Sequence, residues 1–129
     1  MKKIMIVDDK PEVRKLVEMT LRVGDYRVIQ AESGGEAVVA AKKEKPDLII
    51  MDVMMPGEID GLEAVRRIRQ TPECGECRII MLTAKGQQSD RQVGYRAGAD
   101  AYFVKPFSPL ELIRRVEDVL SPGENTAPV

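Results

Sequence analysis

The sequence predicts an α/β domain, a parallel sheet with helices on both faces, and three observations carry that prediction. Short runs of strand length recur at residues 4–7, 26–31, 48–51, 79–82 and 101–104. Patterns of helical period alternate with them, so that strand is followed by helix five times over; this alternation implies a parallel sheet joined by right-handed crossovers. Four of the runs end in polar side chains, at Asp8 and Asp9, at Asp52, at Thr83 and at Lys105. A parallel sheet brings such ends to one edge, the carboxyl edge at which open α/β sheets bind ligands.

Ile4-Met5-Ile6-Val7 is apolar throughout, as suits a strand buried on both faces. Pro11 fits the first turn of a helix, and Val13, Leu16, Val17 and Leu21 then fall on one stripe that Gly24-Asp25 ends. Val28 and Ile29 mark the second strand. Ser33-Gly-Gly-Glu36 has the spacing of a capping box, in which the serine hydroxyl and glutamate carboxylate satisfy amides at a helix start, and an alanine-rich run continues to Lys43. Pro46 closes the connection to the third strand, Leu48-Ile49-Ile50-Met51, with Asp52 at its end and Pro56 beyond. After the loop Gly57-Glu58-Ile59-Asp60-Gly61, the residues Leu62, Val65 and Ile68 mark the buried side of a third helix, whose Arg66, Arg67 and Arg69 read as solvated surface.

Ile79-Ile80-Met81-Leu82 is the fourth strand, ending at Thr83-Ala84. A weaker helix over residues 89–96 closes at Gly98, a residue suited to a C-terminal cap. Ala101-Tyr102-Phe103-Val104 is the fifth strand and runs into Lys105-Pro106. Ser108-Pro109-Leu110-Glu111 joins a capping box to proline at the first helical position, and Leu112, Ile113, Val116, Val119 and Leu120 form the stripe of the last helix. Residues 1–120 read as one domain; 121–129, with Pro122, Gly123 and Pro128, read as a flexible tail or the start of a linker.

Composition narrows the function. The 20 Lys and Arg nearly balance 21 Asp and Glu, a net charge of -1 that gives no pull toward nucleic acid. The apolar run after Met1-Lys2-Lys3 is too short for a signal peptide, and no stretch approaches the roughly 20 residues of a membrane span. The expected location is cytoplasmic, without a membrane partner. The chain has no histidine, which excludes Ser-His-Asp and Cys-His chemistry within it. Cys74-Gly-Glu-Cys77 has a redox or metal spacing, but it lacks the second pair of a four-cysteine zinc site and the helix start of a redox motif. It reads as a reduced loop, with a regulatory disulfide as the alternative.

The carboxyl edge carries the chemistry. Close carboxylates repel by about 4 kcal/mol per pair, for unit charges roughly 4 Å apart at an effective dielectric of about 20, so three together call for a cation. A hard divalent ion with oxygen ligands fits, and magnesium fits best where waters stay on the metal. Lys105 adds positive charge and Thr83 a hydroxyl donor, which together suit a phosphoryl group. Each residue alone could be a cap, a turn former or a solvated side chain; their joint placement at four strand ends favours a site.

With those residues in view, the chain resembles the receiver domain of bacterial two-component response regulators. The resemblance is carried by Val7-Asp8-Asp9, by Asp52 in Met51-Asp52-Val53-Met54-Met55-Pro56-Gly57, by Thr83-Ala84 and by Lys105-Pro106-Phe107, and spans residues 2 to about 120. It implies a flavodoxin-like, doubly wound five-stranded parallel sheet of order 2-1-3-4-5. It implies that Asp52 is the phosphoacceptor, attacking the phosphohistidine of a sensor histidine kinase or phosphotransfer protein. By the same resemblance Asp8, Asp9, Asp52 and the backbone carbonyl of Met54 bind Mg2+, Thr83 bonds one phosphoryl oxygen, Lys105 pairs with another, and the Lys105-Pro106 peptide is cis. Thr83 and Tyr102 form the switch, the lesser alternative for Tyr102 being a strand aromatic without that role. The output face comprises the fourth helix, fifth strand and fifth helix. There Arg91, Asp100, Glu111 and Arg115 are placed either to pair across a homodimer or to be solvated. Output passes to an effector domain or a downstream protein. The chain then catalyses its own phosphotransfer and slow autodephosphorylation but is not an enzyme with a separate substrate. The lack of histidine agrees, because the phosphoryl group must come from another protein or a small donor.

Two departures from the family pattern stand out. Glu58-Ile59 occupies the place of one residue in the usual Met-Pro-Gly-x-Asp-Gly, so that Asp52 and Thr83 are 31 positions apart. The cysteine pair has no common role in the family. Met54 and Lys85 occupy positions that tune phosphoryl lifetime; a methionine cannot orient an attacking water by hydrogen bonding, hence the slow autodephosphorylation. Two alternatives remain. An Mg2+-dependent phosphatase of the aspartyl-phosphate type would place Asp-x-Asp after the first strand, whereas here the acids are adjacent. A receiver-like binding module that is never phosphorylated would not need every active-site position filled.

Overall fold

The computed structural model describes residues 1–53, 55, 57–74, 76–84, 97–105 and 107–121, with the side chains of Thr83, Ala84 and Lys105 outside that description. The apolar runs form β1 (Lys2–Val7), β2 (Tyr26–Ala31), β3 (Leu48–Asp52), β4 (Arg78–Ala84) and β5 (Ala101–Lys105). All neighbours pair in parallel, in the order β2-β1-β3-β4-β5. The described helices are α1 (Pro11–Leu21), α2 (Gly34–Glu44), α3 (Gly61–Gln70) and a C-terminal helix (Pro109–Leu120). The predicted helix over 89–96, with Arg91, and the predicted tail from 122 onward lie outside the described residues. Gly98 takes φ 121°, the left-handed conformation expected of a helix-ending glycine.

Alternation along the strands builds two cores. Met5, Val7, Ile49, Met51, Ile79, Met81 and Tyr102 face one way, onto Ala37 and Ala41 of α2 and Ala64, Val65 and Ile68 of α3. Ile4, Ile6, Leu48, Ile50, Ile80, Leu82 and Phe103 face the other way, onto Val17 and Leu21 of α1 and Leu112 and Val116 of the C-terminal helix. Burying each large aliphatic side chain is worth about 1.5–3 kcal/mol. β3 lies at the centre of the sheet and is buried at every residue, which is why its sequence is a continuous apolar run. β2 lies at an edge and exposes Arg27 and Gln30.

The capping signals act as read. Ser33 Oγ accepts from the Glu36 amide at 3.1 Å, and the Glu36 carboxylate accepts from the Glu32 amide at 3.1 Å. Ser108 caps the C-terminal helix, with Pro109 in its first turn.

Two expectations are corrected. Leu16, expected on the buried stripe of α1, is 50% exposed, and Arg14 is buried in its stead. The helix is rotated so that Arg14, Val17 and Leu21 face inward, and the guanidinium finds acceptors that a leucine could not use. Arg69, expected as solvated surface, instead ties three segments. Its Nε donates to the Gly98 carbonyl at 2.9 Å, one Nη donates to the Cys77 carbonyl, and the other donates to Asp100 Oδ2 at 2.8 Å. Asp100 Oδ2 also accepts from the Ile79 amide at 2.8 Å, and Asp100 N–H donates to the Ile79 carbonyl at 2.7 Å. Asp100 is thus engaged within its own chain. Arg115 lies over the Phe103 ring, 5.5 Å from its centroid. Cys74 and Cys77 are free thiols in the core, and burial pushes the Cys77 thiol up to about 11, far from the thiolate a redox pair needs.

Candidate metal centre

Strand register places the polar ends level. Val7 pairs with Met51, Asp52 with Leu82, Thr83 with Val104, and Ala84 with Lys105. One step past β1 stand Asp8 and Asp9, so the first, third, fourth and fifth strands deliver their polar residues to one edge. There the carboxylates of Asp8, Asp9 and Asp52 meet, each offering an oxygen within 4.8 Å of the others. Asp8 and Asp52 are buried, at 1% and 3% exposure, and Asp9 is half-buried.

Several contacts fix this geometry. The Asp8 amide donates to the Ala31 carbonyl at 3.2 Å, its Oδ1 accepts from the Lys10 amide at 2.9 Å, and its carbonyl accepts from Arg14 Nη1 at 2.6 Å. At β3, the Val53 amide donates to the Leu82 carbonyl at 2.9 Å, and the Gly61 amide to the Val53 carbonyl at 3.1 Å. Gly61 must be glycine: a Cβ there would collide with the Asp52 carbonyl oxygen and lie 2.8 Å from Val53 Cα. The lengthened loop is accommodated by Ile59, which packs against the α2–α3 core; a Cβ on Gly34 would collide with its carbonyl. Asp60 then caps α3, its Oδ1 accepting from the Glu63 amide at 2.9 Å. Arg67, hydrogen-bonded to Glu63, holds that exposed carboxyl below the usual carboxylate range.

The donor set fits a hard cation. Asp9 Oδ1 is buried and meets no hydrogen-bond donor among the described residues. A buried carboxylate oxygen without a donor is costly, and a divalent ion bound by oxygen ligands would satisfy it together with its two neighbours. A nitrogen- or sulfur-seeking metal finds no partner in this trio.

Among the residues expected at the site, Asp8, Asp9 and Asp52 come together. Thr83 and Lys105 have their backbones at the same edge, while their side chains, Met54, Lys85 and the Lys105-Pro106 peptide partner Pro106 lie outside the described residues. Tyr102 is buried, in the core that also holds Met51 and Met81. Sequence reasoning missed Arg14, Asp60 and Gly61. Asp60 was findable, since Asp-x-x-Glu just before an apolar stripe is itself a capping signal; the roles of Arg14 and Gly61 depend on contacts that only the folded chain makes.

Comparison with known proteins agrees with this geometry. Residues 4–117 match the family described as response regulator receiver domain. The transcriptional regulatory protein ResD of Bacillus subtilis is 44% identical over 97% of this chain and 50% of its own length. The chain spans about half the length of the curated relatives it matches. A crystal structure of a putative response regulator from Chloroflexus aurantiacus superposes with a TM-score of 0.87 at 43% identity, covering 92% of this chain and 97% of that one. The receiver domain of sensor histidine kinase PA1611 from Pseudomonas aeruginosa superposes with a TM-score of 0.83 at 35% identity, covering 92% of this chain and 97% of that one. In that structure a magnesium ion is coordinated in the active-site cleft.

Proposed function

Because the chain belongs to the response regulator receiver domain family, we propose that it is a phosphoacceptor switch in which Asp52 takes a phosphoryl group from the phosphohistidine of a partner kinase or phosphotransfer protein. The observation that carries this reading is the meeting of the Asp8, Asp9 and Asp52 carboxylates at the carboxyl edge of the sheet. A carboxylate oxygen of Asp52 forms the new O–P bond as the N–P bond of the phosphoimidazole breaks; the electron pair and a proton end on the imidazole.

Asp8, Asp9, Asp52 and the carbonyl of Met54 are the residues that would hold Mg2+, which when bound supplies positive charge against the phosphoryl oxygens. Lys105 is assigned a second positive charge, and Thr83 a hydroxyl that donates to a phosphoryl oxygen. Positioning and electrostatics then supply most of the acceleration. The PA1611 receiver, with magnesium in its cleft, supports that choice of ion.

Phosphorylation adds roughly -1.5 to -2 charge, and its differential pull on Thr83 and Tyr102 is the proposed switch. Moving a population from 1:99 to 99:1 takes about 5.5 kcal/mol, so partner binding is assigned part of that work. Met54 offers no hydrogen bond to orient a hydrolytic water, and autodephosphorylation is therefore slow. The naming of ResD as a transcriptional regulatory protein supports output through an effector. A homodimer on the fifth-strand face has less support, because Asp100 already pairs within the chain with Arg69 and Arg78.

The test is intact-mass measurement after incubation with acetyl phosphate and Mg2+. The native chain gains one phosphoryl group, Asp52→Asn gains none, and EDTA abolishes the gain. Equal labelling of the two proteins would overturn the assignment. Phosphomonoester turnover that survives Asp52→Asn and is lost on Asp8→Asn would favour a phosphatase.

A further inference from the structure

We infer that Arg14 is a positioning residue for the acidic cluster, holding the Asp8–Asp9 peptide in the geometry that binds the divalent ion; this rests on the metal reading above. Among the described residues Arg14 is the one buried cation, at 8% exposure. Taking a guanidinium out of water is expensive unless its donors are matched, and here two segments, the end of β1 and the end of β2, supply two hydrogen bonds and an ion pair. Nη1 donates to the Asp8 carbonyl at 2.6 Å, Nε donates to Gln30 Oε1 at 2.9 Å, and Nη2 lies 3.8 Å from Glu32 Oε1. Gln30 is fixed in turn, its Nε2 donating to Glu18 Oε1 at 3.0 Å. The network braces the start of the acidic pair against α1 and the end of β2.

The position of the contact gives it its consequence. The Asp8 carbonyl and the Asp9 amide share one peptide plane, so rotating that plane swings Asp9 relative to Asp8. Asp9 Oδ1 has no donor of its own among the described residues, so its placement depends on that peptide. An apolar residue at position 14 would fill the same space against the core but remove the guanidinium donor from the Asp8 carbonyl. The charge of Arg14 acts in the opposite sense, since a nearby cation repels an incoming cation. Loss of positioning therefore weakens metal binding, whereas loss of charge alone strengthens it. The two roles differ in sign.

The experiment is Mg2+ titration by isothermal calorimetry of the native chain, Arg14→Met and Arg14→Lys, alongside amide NMR spectra of each protein without metal. Weakening of about tenfold is expected for Arg14→Met, the scale of losing a contact that orients a metal ligand. Arg14→Lys, which keeps the charge but not the planar fork, also weakens binding, and the Asp9 and Lys10 amide resonances shift in both variants before metal is added. Unchanged or tighter binding by a folded Arg14→Met overturns the inference. If Arg14→Met does not fold, Gln30→Ala decides: removing the acceptor that orients Nε should weaken Mg2+ binding, and no change overturns the inference. A native chain that binds no Mg2+ would instead overturn the metal reading itself.

Discussion

At position 61 the backbone of β3 leaves room for a hydrogen atom and not for a methyl group. A methyl group there collides with the carbonyl oxygen of the residue proposed to accept the phosphoryl group, and lies 2.8 Å from Val53 Cα. Both contacts are backbone, so neither can turn aside as a flexible side chain would. Gly61→Ala should destabilise the fold by about 1–3 kcal/mol, the usual cost of overpacking, and should slow labelling of Asp52 by displacing the end of β3. Gly35 is the control, because nothing lies within 4 Å of a Cβ placed there. Gly35→Ala should leave labelling unchanged and stabilise α2 by at most about 1 kcal/mol, since alanine is the better helix former. Urea denaturation gives both stabilities. Equal midpoints for the two variants would show that the loop yields without cost.

At the scale of elements, strands were easier to read than the contacts between them. The central strand announces itself because both its faces are buried, and α2 and the C-terminal helix announce their starts through local serine caps. Local signals of this kind lie within four residues of their targets. Arg69 shows what such signals miss: its acceptors at Gly98 and Asp100 lie 29 and 31 residues away, and an arginine on a polar helix face looks solvated in sequence. Arg14 escaped for the same reason, and its presence also shifted the apparent stripe of α1 onto Leu16. The acidic cluster could be read because parallel topology converts strand ends into neighbours. Arg69→Met is the corresponding element-scale test. It keeps the aliphatic stem against Gly98 but removes the Arg69 donor from the Cys77 and Gly98 carbonyls, while the Asp100 carboxylate keeps the Ile79 amide and Arg78. Each unsatisfied group costs about 1–3 kcal/mol, less where water reaches it, so a loss of about 2–4 kcal/mol is expected in chemical denaturation, with an unchanged slope. A loss below about 0.5 kcal/mol, as for an ordinary surface substitution, would mean that the clamp contributes little.

For the molecule as a whole, assembling the acidic cluster opposes folding, and the proposed cation would reverse that opposition. Asp8, Asp9 and Asp52 come together only in the folded chain, so an ion held by all three binds the native state far better than the unfolded one. Stabilisation then follows RT ln(1 + [L]/Kd), about 2.7 kcal/mol when Mg2+ is a hundredfold above its Kd. For a domain of this length about 1 kcal/mol moves Tm by roughly 3–5 °C, which makes the expected rise on the order of 10 °C. Asp9→Asn separates repulsion from binding. It removes one charge from the trio while disturbing no hydrogen bond at Oδ1 among the described residues, and its amide can donate to a neighbouring carboxylate. The variant should therefore melt higher than the native chain in EDTA and show little further rise with Mg2+. Calorimetric melts of both proteins with and without the ion provide the measurement, with potassium at matched ionic strength as the control for screening. If Asp9→Asn melts lower in EDTA and keeps the full Mg2+ shift, then Asp9 neither strains the metal-free fold nor holds the ion, and the centre would have to be built on Asp8 and Asp52 without it.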